Sequence, residues 1–230
     1  MKILGLQKLT LLDYPEKTAC TVFFGGCNFR CPFCHNASVV AEDGGIAEIA
    51  REEIIAFLKK RKAVLDGVCI TGGEPLLCGD LADFLREIKS LGYKVKLDTN
   101  GYLPDKMKAL VGENLVDYVA MDIKHARGKY ALAAGVARLD IARICESADF
   151  LLSGNIEYEF RTTAVRGLHT VSDFCEIGEW IAGAARYFIQ PFADSGDLID
   201  GAAFSAFSAD ETAEILDAVR RFVPNVRLRG

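Results

Sequence analysis

The chain has 230 residues, half of them hydrophobic and 26% charged. That balance excludes a disordered, collagen-like or low-complexity protein and leaves room for one large domain or two small ones. A net charge of −5, from 27 Lys and Arg against 32 Asp and Glu, gives no basic footprint for nucleic acid or anionic lipid. No apolar run approaches the roughly 20 residues that span a bilayer. The start, MKILGLQKLTLLDYP, carries Lys8 and Asp13 and has no small-residue cleavage site, so a cytoplasmic protein without membrane association is expected.

Short apolar runs alternate with longer helical patterns. Residues 19–24 (ACTVFF) read as a first strand, and 47–61 carry Ile49, Ile54, Ile55, Phe57 and Leu58 at a helical period. Residues 68–70 form a second strand before Thr71-Gly-Gly-Glu-Pro75, and 81–91 a helix closed by Gly92. A third strand, 94–98, leads into Thr99-Asn100-Gly101, and Pro104 opens a short helix through 110. A strand over 118–123, a helix over 137–148 and a strand over 158–165 repeat the rhythm. Thr170 with Asp173, and Ser208 with Glu211, have capping-box spacing for helices reaching 182 and 222. Strands at 187–190 and 226–228 complete the pattern.

About six strand–helix units, with no linker and no composition break, predict an α/β fold with a parallel sheet in one domain over 1–230. Periodicity does not choose between a doubly wound sheet and a barrel. In either, chemistry belongs at the carboxyl ends of the strands. The unusual polar segments fall there: Cys27, Cys31 and Cys34 after the first strand, Gly72-Gly73-Glu74-Pro75 after the second, Asp98-Thr99-Asn100 after the third. Asp122-Ile123-Lys124 closes the fourth strand and Arg161 lies within the fifth.

Three of the eight cysteines crowd into Phe24-Gly-Gly-Cys-Asn-Phe-Arg-Cys-Pro-Phe-Cys-His35, which points to a metal site rather than a disulfide framework. The other five, Cys20, Cys69, Cys78, Cys145 and Cys175, read as packing residues. A structural zinc site closes with four ligands, which leaves a zinc knot of Cys27, Cys31, Cys34 and His35 open. Three thiolates at C-x3-C-x2-C equally suit a cubane iron–sulfur cluster with one iron left for an exogenous ligand, and Gly25 and Gly26 permit close backbone approach to it.

That motif, with Phe33 before its last cysteine and Gly-Gly-Glu-Pro after the second strand, resembles the radical S-adenosylmethionine (SAM) superfamily. More narrowly, Leu6-Gln-Lys-Leu-Thr-Leu-Leu-Asp-Tyr-Pro15, Leu97-Asp-Thr-Asn-Gly101 and Met121-Asp-Ile-Lys124 are similar to segments of glycyl-radical-enzyme activating proteins, nearest to those of anaerobic ribonucleoside-triphosphate reductase. The resemblance is strongest over 6–125 and weaker beyond about 165. It implies a partial (βα)6 barrel with its core over about 16–222. It also implies one 4Fe–4S cluster, because no further cysteine stands between Cys34 and Cys69. In the family, reductive cleavage of SAM at the cluster yields a radical that takes a hydrogen from a backbone glycine of a partner enzyme. The partners implied are that glycyl radical enzyme and a low-potential donor such as flavodoxin or ferredoxin.

Carried to this chain, the resemblance makes Cys27, Cys31 and Cys34 the cluster ligands and places Gly72, Gly73 and Glu74 against the methionine moiety of SAM. Asp98, Thr99, Asn100 and His35 would face SAM, and Arg161 its carboxylate. Asp122 and Lys124, alternating on one strand, would share a face and position SAM or the substrate peptide. The end of the sixth strand, Gln190-Pro191-Phe192, departs from pyruvate formate-lyase activating enzyme, which has a histidine in that region. His125 and His169 read as solvent-facing loop residues, and the loop over 193–207 as solvated. Two other readings stand beside the activase: a small-molecule radical SAM enzyme like 7-carboxy-7-deazaguanine synthase, and a non-catalytic zinc-binding interaction module.

Overall fold

The computed structural model of the chain describes residues 1–41, 45–194, 196, 198, 199 and 204–229. Two compact units emerge. One comprises 1–28, 38–99 and 103–119, and the other 29–37, 100–102 and 120–230. Within each unit the strands follow one another in sheet order as in sequence, and of these pairings only the first is antiparallel.

The first unit opens with β1 (Ile3–Thr10) and β2 (Ala19–Phe24), then α1 (Ala37–Ala41), α2 (Arg51–Arg61), β3 (Gly67–Gly72), α3 (Leu81–Ser90), β4 (Lys94–Thr99) and α4 (Pro104–Gly112). In β2 every residue but Phe23 is buried, which is why it reads as an apolar run rather than an alternation. Its parallel neighbours continue the same rows, with Cys20 beside Val68 and Val68 beside Val95. The α3 helix buries Leu81, Phe84, Leu85 and Ile88 at helical spacing, and the Phe84 ring meets Phe24 edge-on with centroids 6.2 Å apart.

After β5 (Tyr118–Asp122), the second unit contains α5 (Tyr130–Ala134), α6 (Ile141–Leu152), β6 (Glu157–Ala164), α7 (Val171–Trp180), β7 (Tyr187–Pro191), α8 (Ala209–Arg220) and β8 (Val226–Leu228). Both capping boxes anticipated in the sequence are formed, Thr170 with Asp173 and Ser208 with Glu211. Each hydroxyl accepts the backbone N–H three residues on, while the carboxylate accepts the cap's own N–H.

Three local readings need correction. The strand β1 was not anticipated, because Gln7, Lys8 and Leu9 are all exposed and two register irregularities against β2 erase its period of two. The helix expected over 47–61 starts at Arg51. The one expected over 137–148 begins at Ile141 and runs on to Leu152, with Asp140 capping it by accepting the Ala142 N–H at 3.1 Å; the separate short helix α5 ends before it, at left-handed Gly135. Of the loop 193–207, residues 195, 197 and 200–203 lie outside the described residues. Among the described residues no helix is long and apolar enough to cross a membrane.

Candidate active site

In the first unit, the end of β3 is stitched onto the end of β2. The Gly73 N–H donates to the Phe24 carbonyl at 2.8 Å and the Glu74 N–H to the Gly26 carbonyl at 2.9 Å. The approach leaves no room for side chains: a Cβ on Gly73 would stand 1.9 Å from the Gly26 oxygen, and one on Gly72, whose φ is +118°, 2.3 Å from the Phe24 oxygen. The same backbone carries Cys27 on the next residue, half-buried.

Glu74 is 1% exposed. Its carboxylate accepts the Leu76 N–H at 3.1 Å, capping the 3-10 turn Pro75–Leu77, and the Thr99 hydroxyl reaches its two oxygens at 3.0 and 3.1 Å. Thr99 is therefore more than a turn residue; it fixes the acid expected to meet SAM. Asp98 is held by Lys96, whose ammonium is buried beside it and 3.9 Å from the Cys69 sulfur. The Cys69 thiol donates to the same Asp98 oxygen at 3.7 Å.

In the second unit, the Cys34 N–H donates to the Cys31 carbonyl at 3.0 Å, closing the C-P-F-C turn. Cys31 and Phe33 are buried, Cys34 is half-buried and His35 is exposed. Asn100 is buried and its side-chain oxygen accepts the Tyr102 N–H at 3.0 Å, an Asx turn. β5 ends at Asp122, so Lys124 lies beyond the strand rather than on it as the sequence reading assumed. Its ammonium nevertheless reaches Asp122 Oδ2 at 2.9 Å, while Arg161 Nε donates to Oδ1 at 2.9 Å.

Burial opposes ionisation of Asp122, but Arg161 and then Lys124 hold its carboxyl well below the usual carboxylate range. Burial likewise opposes the charge on Lys124, but Asp122 and, secondarily, the Cys31 sulfur hold its pKa above the usual lysine range. Both cations converge on this one carboxylate.

His125 and His169 are not solvent-facing: they are 0% and 4% exposed, with rings stacked at 4.6 Å between centroids. The period of the surrounding loop carries no sign of this, because the groups that cover His169, Phe33 and Phe174 among them, are not on its own segment. Of the five cysteines expected to pack, Cys20 and Cys69 are buried and Cys78, Cys145 and Cys175 half-buried. Residues that sequence reasoning missed are Lys96, Tyr130, Thr162 and His169. Only Lys96 had a visible signal, its alternation with Asp98 on β4. Among the described residues, no three His, Cys, Asp or Glu side chains are grouped as a metal-ion site.

Comparison with known proteins decides the family. The Radical SAM superfamily model matches residues 21–181. The chain belongs to that superfamily. It is 33% identical over 195 residues to a Methanocaldococcus jannaschii protein assigned as a glycyl-radical enzyme activating enzyme, covering 82% of this chain and 78% of the relative. It is 34% identical over 129 residues to the pyruvate formate-lyase-activating enzyme of Clostridium pasteurianum, covering 54% of this chain and 52% of that enzyme. Among solved structures, Streptococcus suis SuiB bound to its precursor peptide SuiA matches with TM-score 0.71 at 13% identity over 91% of this chain, a likeness of fold. The chain spans 48% of the length of that SuiB chain.

Radical SAM proteins bind a 4Fe–4S cluster and SAM, and the donors present fit those groups. The loop after β2 offers three thiols within eight residues, with two glycines ahead of them. The buried carboxylate of Glu74, held by Thr99, suits an ammonium group, and the guanidinium and ammonium beside Asp122 are donors that suit a carboxylate.

Proposed function

We propose that this radical SAM enzyme activates a glycyl radical enzyme in the cytoplasm, that its partner is anaerobic ribonucleoside-triphosphate reductase, and that 1–230 acts as a single domain. The observation that carries the reading is the extent of the similarity to the archaeal relative, 82% of this chain at 33% identity. The segments at 6–15, 97–101 and 121–124 support the choice of partner. In this reading Cys27, Cys31 and Cys34 hold one cluster, and a flavodoxin or ferredoxin supplies its electron. Bound together, cluster and SAM supply the one-electron chemistry that removes a hydrogen atom from a backbone glycine of the partner.

The chain's own residues bind, orient and exclude water. Gly72 and Gly73 present backbone to the methionine portion of SAM, and their missing side chains let the end of β3 close onto Phe24 and Gly26 beside the first cysteine. Glu74, kept in place by Thr99, receives the ammonium; Arg161 and Lys124, kept in place by Asp122, receive anionic or hydroxyl groups. Asp98, Asn100 and His35 complete the surroundings of SAM. Reduced protein, SAM and each purified reductase would be mixed anaerobically and read by electron paramagnetic resonance. A glycyl radical doublet on anaerobic ribonucleotide reductase, absent with pyruvate formate-lyase, is the expected result. Radical on neither enzyme, with SAM turnover intact, would overturn the activase reading.

A further inference from the structure

Beyond β5 the chain leaves the sheet, yet three consecutive carbonyls are each gripped by a side chain from a different element. The Tyr130 hydroxyl donates to the Asp122 carbonyl at 3.1 Å, the Thr162 hydroxyl to that of Ile123 at 2.7 Å, and His169 Nε2 to that of Lys124 at 2.9 Å. The imidazole is held in one tautomer by its surroundings. Its Nδ1 accepts the Val165 N–H at 3.1 Å, so the single proton of the neutral ring sits on Nε2, directed at Lys124. The His125 ring stacks on it and is fixed the same way, accepting the Ala126 N–H at 2.8 Å and donating to the Leu168 carbonyl at 3.2 Å.

The opposite side of His169 faces the cysteine turn. Phe33, between Cys31 and Cys34, meets the His169 ring edge-on with centroids 6.4 Å apart, and Phe174 completes the packing at 5.3 Å. One buried ring thus touches both the backbone that carries Lys124 and the side chain at the centre of the C-P-F-C turn. We propose that His169 is a positioning residue of the SAM site, acting through the Lys124 carbonyl and the Phe33 ring to hold Lys124 and the Cys31–Cys34 turn in a single arrangement. The functional half of this inference rests on the reading that Asp122 and Lys124 face SAM.

Two variants separate the donor from the packing. His169→Phe keeps an aromatic ring against Phe33, His125 and Phe174 but has neither an N–H for Lys124 nor an acceptor for Val165; His169→Gln keeps an N–H donor and an acceptor of similar reach. Three measurements apply: amide hydrogen exchange on the chain without cluster, SAM binding to the reconstituted protein by equilibrium dialysis, and the urea midpoint. In His169→Phe the Ile123 and Cys34 amides should exchange at least about tenfold faster while Ile70 in β3 keeps its protection, and SAM should bind about 5- to 30-fold more weakly, the size of a buried backbone partner left unmet at Lys124 with a second at Val165. His169→Gln should recover most of both. Unchanged exchange and affinity in His169→Phe would overturn the proposal. So would equal acceleration at Ile70 with a collapsed midpoint, which marks a purely structural residue. If the wild-type protein binds no SAM, the functional reading fails, and the exchange data still decide whether the clamp exists.

Discussion

The guanidinium of Arg161, on β6, donates through Nε to Asp122 Oδ1 at 2.9 Å, and this pair organises the charged part of the site. Because Lys124 occupies the other oxygen, neutralising the carboxylate takes a shared anionic partner from two cations that are 14% and 18% exposed. Asp122→Asn should therefore cost about 2–3 kcal/mol in the urea midpoint of the cluster-free chain, below the range for fully buried pairs because some solvent screens it. The SAM affinity of the loaded protein should fall at least about tenfold. The carboxyl is held below its ordinary range, so its contribution is present at neutral pH and is lost only on acidification below about pH 4, where the unfolded chain takes up a proton first.

Gly73→Ala tests the stitching of β3 to β2. The added methyl would stand 1.9 Å from a backbone oxygen, which no rotamer relieves, so the Gly73–Glu74 backbone must move away from Gly26. A loss of about 2–4 kcal/mol in stability is expected, in the range of overpacked backbone sites. Gly79→Ala, with open space around its Cβ, is the matched control and should change the denaturation midpoint by less than about 0.5 kcal/mol.

Acid sensitivity above about pH 4 should arise from the histidine pair, before the carboxylates are reached. Burial pushes His169 down to about 4, with the neighbouring His125 adding to the effect, and burial also lowers His125 against the pull of Asp173. The charged groups facing the pair are Lys129, Asp173 and Glu176. A depressed imidazole pKa means that the unfolded chain binds protons first as pH falls through about 6.5. Stability should hold between pH 7 and 8 and decline between about 6.5 and 4, with His169 contributing about 3 kcal/mol over that window. Urea midpoints across pH would check this, and a flat profile in the wild-type chain would refute it. His169→Phe should remove most of the slope.

The cysteines divide into two chemical sets. Cys27→Ser, Cys31→Ser and Cys34→Ser should each abolish iron loading after anaerobic reconstitution, whereas Cys145→Ser and Cys175→Ser should leave it intact. Burial pushes the Cys20 thiol up to about 12, so iodoacetamide at pH 8 should leave it unmodified in the native chain. Iron per chain and mass spectrometry of the alkylated protein read both outcomes. Full iron loading of any of the first three variants would remove that cysteine from the ligand set.

Much of this was legible in the sequence because the signals are local. Apolar runs such as ACTVFF mark strands buried on both faces, the capping boxes fix two helix starts to the residue, and the thiol spacing and Gly-Gly-Glu-Pro carry the family. What escaped detection depends on partners distant in the chain. His169 is buried by the Lys124 carbonyl 45 residues away, and Thr162 reaches Ile123 across 39, so nothing adjacent to either announces its role. The strand β1 was lost for the opposite reason, since an exposed edge with broken register has no period to read.

Lys96 offers a sharper test, because a buried ion pair and a functional carboxylate respond differently to the same change. Its ammonium is 1% exposed and bonded to Asp98. Asp98→Leu alone takes away the carboxylate bonded to that buried ammonium and should cost about 3–5 kcal/mol. Lys96→Met with Asp98→Leu removes both charges at similar volume, and should restore stability to near the wild-type value or above it. If Asp98 faces SAM, the double variant should remain as poor in SAM affinity as Asp98→Leu despite its recovered midpoint. Recovery of both would show that Asp98 serves only to neutralise Lys96, and would move the SAM contact elsewhere in the loop after β4.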